Sequence, residues 1–115
     1  MKNKETISLK KMIEYIDKIL RYTNNCDFKS FADNEEKIDA TVFAISQIGE
    51  LVKNVSKETM ETYPNIEWIV IKNLRNKIVH DYEGINLDFI WDIITKDIVQ
   101  LKNDLEEILE GDKKC

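Results

Sequence analysis

Apolar residues recur along this chain at steps of three and four. Leu9, Met12, Ile13, Ile16, Ile19 and Leu20 form one such stripe and predict a first long helix, with Thr6 or Ser8 available to cap its start and an end near Asn24 and Asn25. The stretch NCDFKSFADN then predicts a turn in which Phe28 and Phe31 close one end of the core. Asp33 or Asn34 can cap a second long helix whose first turn holds Glu35 and Glu36, acids that suit a positive helix start. Its main face carries Ile38, Val42, Ile45, Gly49 and Val52, and Phe43, Ala44, Leu51 and Val55 widen the arc, so it should meet more than one neighbour. Gly49 inside a helix costs about 1 kcal/mol relative to alanine, which points to close approach of another helix there.

The segment VSKETMETYP predicts one short helical turn, and Pro64 holds Tyr63 extended. Asn65 can restart a helix that runs to about His80. Leu87, Ile90, Trp91, Ile94, Ile98, Leu101, Leu105 and Ile108 keep the helical period for about six turns, entered past Gly84 through an Asn86 cap and left at Gly111. No segment alternates in polarity and none repeats. The expected fold is all-α, an up-down bundle of four main helices plus a short helical turn, in a single domain spanning residues 1–115.

Composition narrows the class of protein. Apolar residues make up 43% and charged residues 34%, the balance of a globular chain with one real core. No apolar run exceeds four residues, as in WIVI from Trp68 to Ile71, which is too short for a membrane span, and no apolar stretch follows the N-terminal lysines as in a secretory signal; a cytoplasmic protein without membrane partners is expected. Cys26, Cys115 and the sole histidine cannot make a disulfide framework or a closed zinc set, so neither metal nor cofactor is expected. A net charge of -5 argues against bulk coating of nucleic acid. Lys72, Arg75 and Lys77 against Glu67 nevertheless give the segment from Asn65 to His80 a local +2, the place an anion would be drawn to.

That segment departs from a plain amphipathic pattern. At 100° per residue Ile71, Leu74 and Ile78 share a face flanked by Trp68 and Val79, and Arg75 falls inside it. A guanidinium there needs a partner, and an acid such as Glu50 or an exposed carbonyl would serve as a purely structural one. Lys72, Asn76 and His80 form a separate polar ridge, on which the Asn76 amide could orient the imidazole. Read structurally, His80 caps a helix C-terminus and Tyr82 is an amphipathic aromatic at the core edge. Read chemically, a histidine moves protons at neutral pH and an arginine stabilises a phosphorane-like transition state, the equipment for metal-free RNA cleavage by the 2'-hydroxyl. One histidine serves poorly as both acid and base, whereas a symmetric dimer would bring two to one cleft. No glycine-rich phosphate loop and no serine or cysteine nucleophile motif offers a competing chemistry.

The stretch RNKIVHDY resembles the motif of the HepT toxins of the HEPN superfamily: an arginine, four residues, a histidine, one residue and a tyrosine. AISQIGELVKNVS, YPNIEW and INLDFIWDII follow in the family's order and spacing, so the resemblance covers nearly the whole chain from Ala40 onward. One departure is KDIVQL, where relatives often place a proline near Val99. The resemblance implies a homodimeric, metal-independent endoribonuclease with a composite cleft. In it Arg75 and His80 would be catalytic and Asn76 supporting; the local positive charge makes Lys72 and Lys77 the candidates for contact with RNA. It also implies an MNT-type nucleotidyltransferase antitoxin that attaches AMP to Tyr82. The alternatives are a non-catalytic HEPN module that binds a nucleotide or docks a nucleotidyltransferase, and a helical assembly domain in which the motif is structural.

Overall fold

The computed structural model describes residues 1–80 and 86–114, leaving aside the side chains of residues 79, 80 and 112–114. Among the described residues there are helices and turns and no strand. The long elements are α1 (Asn3–Tyr22), α3 (Glu35–Leu51), α5 (Trp68–His80) and a continuous rod built of α6 (Leu87–Asp92), a π-helical turn (Ile93–Asp97) and α7 (Ile98–Lys114). Two short helices, α2 (Phe28–Ala32) and α4 (Lys57–Thr62), sit in the connections. The all-α bundle expected from the apolar periodicity is the fold observed.

Helix α3 is the hub. It packs on α1 along one side and on α5 along the other, while α7 lies against α1 through contacts that include the Lys102–Asp17 ion pair at 2.7 Å. This is why its apolar arc is broad: Val42, Ala44, Ile45, Ile48 and Gly49 are all buried. Leu9, Met12, Ile16 and Ile19 of α1 and Ile90, Leu105 and Ile108 of the last rod complete the core. Gly49 lies where α3 and α5 touch: a Cβ placed on it would come 3.0 Å from the Arg75 Cβ and 3.0 Å from the Ile71 carbonyl oxygen. The absent side chain is what lets the helices approach.

Several boundaries differ from the expected ones, each for a local reason. Thr6 and Ser8 do not cap α1. The helix starts at Asn3, and the Glu5 carboxylate reaches back to accept from the Lys2 backbone N–H at 3.2 Å. The supposed turn after α1 contains α2, because Asp27 accepts from the Ser30 N–H at 2.8 Å while Ser30 Oγ accepts from the Asp27 N–H at 3.1 Å. Phe31 is fully buried against Trp91, whereas Phe28 stays at the surface with its ring edge-on to Trp91. Asn34 is the α3 cap, accepting from the Lys37 N–H at 3.1 Å. Asn65 starts no helix: the Tyr63 carbonyl gathers both the Ile66 N–H and the Trp68 indole N–H, and α5 begins only at Trp68. Gly111 ends nothing either, since α7 runs on to Lys114 and no atom lies near enough to Gly111 for its missing side chain to matter.

Glu5 is the least expected core member. It is 5% exposed, and its Oε1 accepts from the Ser56 N–H at 2.6 Å and the Thr59 hydroxyl at 2.9 Å, tying the start of α1 to the start of α4. Burial alone would raise its pKa, but the hydrogen bonds from Ser56, Thr59 and Lys2 outweigh it and hold the group at about 2. A folded-state pKa below the unfolded value stabilises the fold above pH 4.5, and that contribution disappears as pH falls from 4.5 through 2. It amounts to about 3 kcal/mol. The gap between the thermal melts of wild type and Glu5→Gln should therefore narrow to roughly half or less between pH 7 and pH 3; an equal gap at both pH values would contradict this account.

Candidate active site at the end of α5

Trp68 and Ile78 are buried, Ile71 and Leu74 are half-buried, and Lys72, Asn76 and Lys77 are exposed. The helix thus turns the apolar face read from its sequence inward and leaves the ridge of Lys72 and Asn76 in solvent. Arg75 lies on the margin of the buried face, as its position in the apolar arc requires, and its side chain is 42% exposed. Its Nε lies 2.7 Å from Glu50 Oε1, and its Nη1 donates to Asn76 Oδ1 at 3.1 Å. Glu50 was among the partners the sequence offered, and the glycine beside it is what brings α3 close enough for the pair to form.

Glu50 is shared. Lys53, one turn on, donates to its Oε2 at 2.9 Å. That hydrogen bond, opposed by partial burial and helped by the charges of Arg75 and Lys53, holds the Glu50 carboxyl below the usual carboxylate range. The carboxylate is ionised at neutral pH and holds the Arg75 guanidinium at the α3–α5 contact. Lys53 went unread in the sequence, although its i, i+3 spacing from Glu50 was a signal for it. The contact at Glu50 Oε1 is an ion pair and not an aligned hydrogen bond, since that oxygen has no hydrogen-bond partner. Partly exposed pairs of this kind are weak in water, so an incoming phosphate can compete for the guanidinium.

The structure does not gather all the predicted residues. Arg75 and Asn76 are joined, and Lys72 is exposed on the turn before them. Lys77 points the other way, its Nζ 4.1 Å from the centre of the Phe89 ring, where it braces α5 against α6. His80 is the last residue of α5, one turn beyond Asn76 by register, and its side chain lies outside the described residues. Tyr82 lies outside them as well. No group of histidine, cysteine or carboxylate side chains among the described residues could hold a metal ion, and no helix among them is long and apolar enough to cross a membrane.

The described residues make an all-α protein with a half-exposed arginine and an exposed asparagine about one turn before the sole histidine, a helical chain whose candidate chemistry sits at one helix end. Comparison with known proteins narrows the class. Residues 12–108 match the family described as "Ribonuclease HepT-like". The chain belongs to that family. It is 34% identical over 99 residues to a "Putative RNase" of Methanocaldococcus jannaschii, covering 86% of this chain and 79% of that one. A second "Putative RNase", from Caldanaerobacter subterraneus, is 30% identical over 105 residues, covering 91% and 94% of the two chains. A "Probable ribonuclease HepT" of Thermococcus cleftensis is 28% identical over 108 residues, covering 94% and 98%. No solved structure matches the chain.

Proposed function

We propose that this chain is a metal-independent endoribonuclease toxin that cuts RNA at a cleft shared by two copies and is silenced when a nucleotidyltransferase antitoxin attaches AMP to Tyr82. The observation that carries this reading is membership of the HepT-like ribonuclease family over residues 12–108, a span that includes the whole of RNKIVHDY. In the proposed reaction His80 of one copy takes the 2'-hydroxyl proton and His80 of the other protonates the departing 5' oxygen. Arg75 supplies positive charge to the phosphorane-like transition state. Asn76, hydrogen-bonded to Arg75, limits the freedom of the guanidinium. Lys72 and Lys77 add positive potential along the same helix. AMP on Tyr82 would add bulk and negative charge two residues beyond His80, repelling the RNA backbone.

The rival is a module that binds a nucleotide, or docks a nucleotidyltransferase, through the same residues without cleaving. The Arg75–Glu50 ion pair does not separate the two readings, since each needs an incoming phosphate to draw the guanidinium from Glu50. Purified protein incubated with end-labelled RNA in EDTA separates the two: fragments are expected, and intact RNA alongside tight nucleotide binding would favour the rival. For the switch, incubation with the antitoxin and ATP should add AMP mass to wild type and not to Tyr82→Phe. Equal modification of both would remove Tyr82 from the account.

A further inference from the structure

Helix α1 carries a line of lysines that the proposed cleavage chemistry does not use. Lys4, Lys11 and Lys18 recur every seven residues, a spacing that drifts only about 20° per step around a helix, and all three are exposed. Consecutive members stand about 10 Å apart along the axis. The acids of α1 cancel them only in part. Glu5 is turned inward onto Ser56 and Thr59, and of the two exposed acids Asp17 is held by Lys102 at 2.7 Å, which leaves Glu14 without an ion pair among the described residues. Among the described residues no carboxylate lies within ion-pair distance of Lys4, Lys11 or Lys18. In a chain of net charge -5 this is a localised positive strip.

Aromatic rings accompany it. Tyr15 stands between Lys11 and Lys18, with Lys18 Nζ 5.1 Å from its ring centre, and it meets Phe43 of α3 edge-on at 6.4 Å. Phe43 is 57% exposed. Phe43 and Glu50 are seven residues apart and share one stripe of α3; Tyr15 reaches that stripe from the α1 side, and Arg75 reaches it from the α5 side. The lysine line, the exposed ring and Arg75 therefore lie on a single face of the three-helix layer. Nearer the start of α1 a shallow cavity of ≈ 350 Å³ between Lys4, Lys11, Leu51 and Asn54 continues that face.

We infer that α1 and the Phe43 stripe form a track for single-stranded RNA flanking the scissile bond: Lys4, Lys11 and Lys18 hold phosphates, and Phe43, backed by Tyr15, stacks a base. The inference rests on the ribonuclease reading, and its test can fail separately from it. The full chain is compared with Lys4→Ala/Lys11→Ala/Lys18→Ala and with Phe43→Ala, each also in a His80→Ala background, using a fluorescent single-stranded RNA oligonucleotide across a salt series. The triple variant should bind at least tenfold more weakly at low salt, and the slope of log affinity on log salt should shrink by about 2 for three lost phosphate contacts. Phe43→Ala should lose about fivefold or more. In the cleaving background KM for the oligonucleotide should rise with kcat within twofold, and a dinucleotide substrate should be insensitive. Unchanged affinity and slope in the triple variant would overturn the track, as would a change confined to oligomeric state or antitoxin binding. Lysine-dependent RNA binding without cleavage by wild type would uphold the track and sink the ribonuclease reading instead.

Discussion

His80→Ala is expected to lower the rate of RNA cleavage by two to four orders of magnitude while the melting temperature stays close to wild type. A positioned general acid or base is worth about 10²- to 10⁴-fold, and a helix-end residue next to a polar ridge contributes little to the core. Arg75→Ala should be comparably damaging to kcat, because the charge it supplies is needed most in the transition state. Arg75→Lys should not restore the rate, since an ammonium cannot reproduce the two-sided contact by which the guanidinium meets Glu50 through Nε and Asn76 through Nη1. Mixed dimers carrying one His80→Ala copy and one Arg75→Ala copy provide a sharper check. If one cleft draws on His80 from both copies, such mixed dimers, left with a single His80, should stay as inactive as the His80→Ala homodimer, and recovery toward wild-type rates would show that one histidine suffices. Wild-type rates in folded His80→Ala would end the proposal.

Gly49→Val is expected to be the most damaging substitution away from the ridge. Its new side chain would begin 3.0 Å from both the Arg75 Cβ and the Ile71 carbonyl oxygen, atoms fixed to the α5 backbone that cannot swing aside. The helices must separate. Overpacking of this kind costs on the order of 2 kcal/mol, which for a chain of this length lowers the melting temperature by roughly 8 °C. Gly49→Ala should cost less, because its better helix propensity returns about 1 kcal/mol. Activity should fall further than stability does, since displacing α5 moves Arg75 and a misplacement near 1 Å can cost about 10²-fold. A Gly49→Val variant that melts with wild type would show that the two helices are not locked at this point.

The long helices were legible because each presents its apolar residues at the helical period to its neighbours. Gly49 stood out because a glycine inside a helix demands a reason, and Glu50 because Arg75, inside an apolar arc, needed an acid as partner. Glu5 did not. An acid in a first helical turn reads as a dipole partner, and its contacts with Ser56 and Thr59 join positions more than fifty residues apart. Helix α2 was missed although Asp27 and Ser30 have capping-box spacing, because five residues hold no periodicity to count. The turn of Lys77 toward Phe89, away from Arg75, follows from its position 200° around α5 from that arginine, which a local sum of charges does not register. The lysine line of α1 was visible in principle at its seven-residue interval, but only the folded layer shows that it shares a face with Arg75.

The π-helical turn at Ile93–Asp97 carries a consequence for how this rod tolerates change in length. The Ile98 N–H donates to the Ile93 carbonyl, so one turn holds an additional residue, and the flanking stretches α6 and α7 are both in ordinary helical register. A single-residue deletion within those five positions would let the rod close into uninterrupted α-helix, with Trp91 still facing α2 and Lys102 still facing Asp17. The same deletion a few residues to either side would rotate everything beyond it by 100° and unseat the core. The rod thus carries its slack at one address.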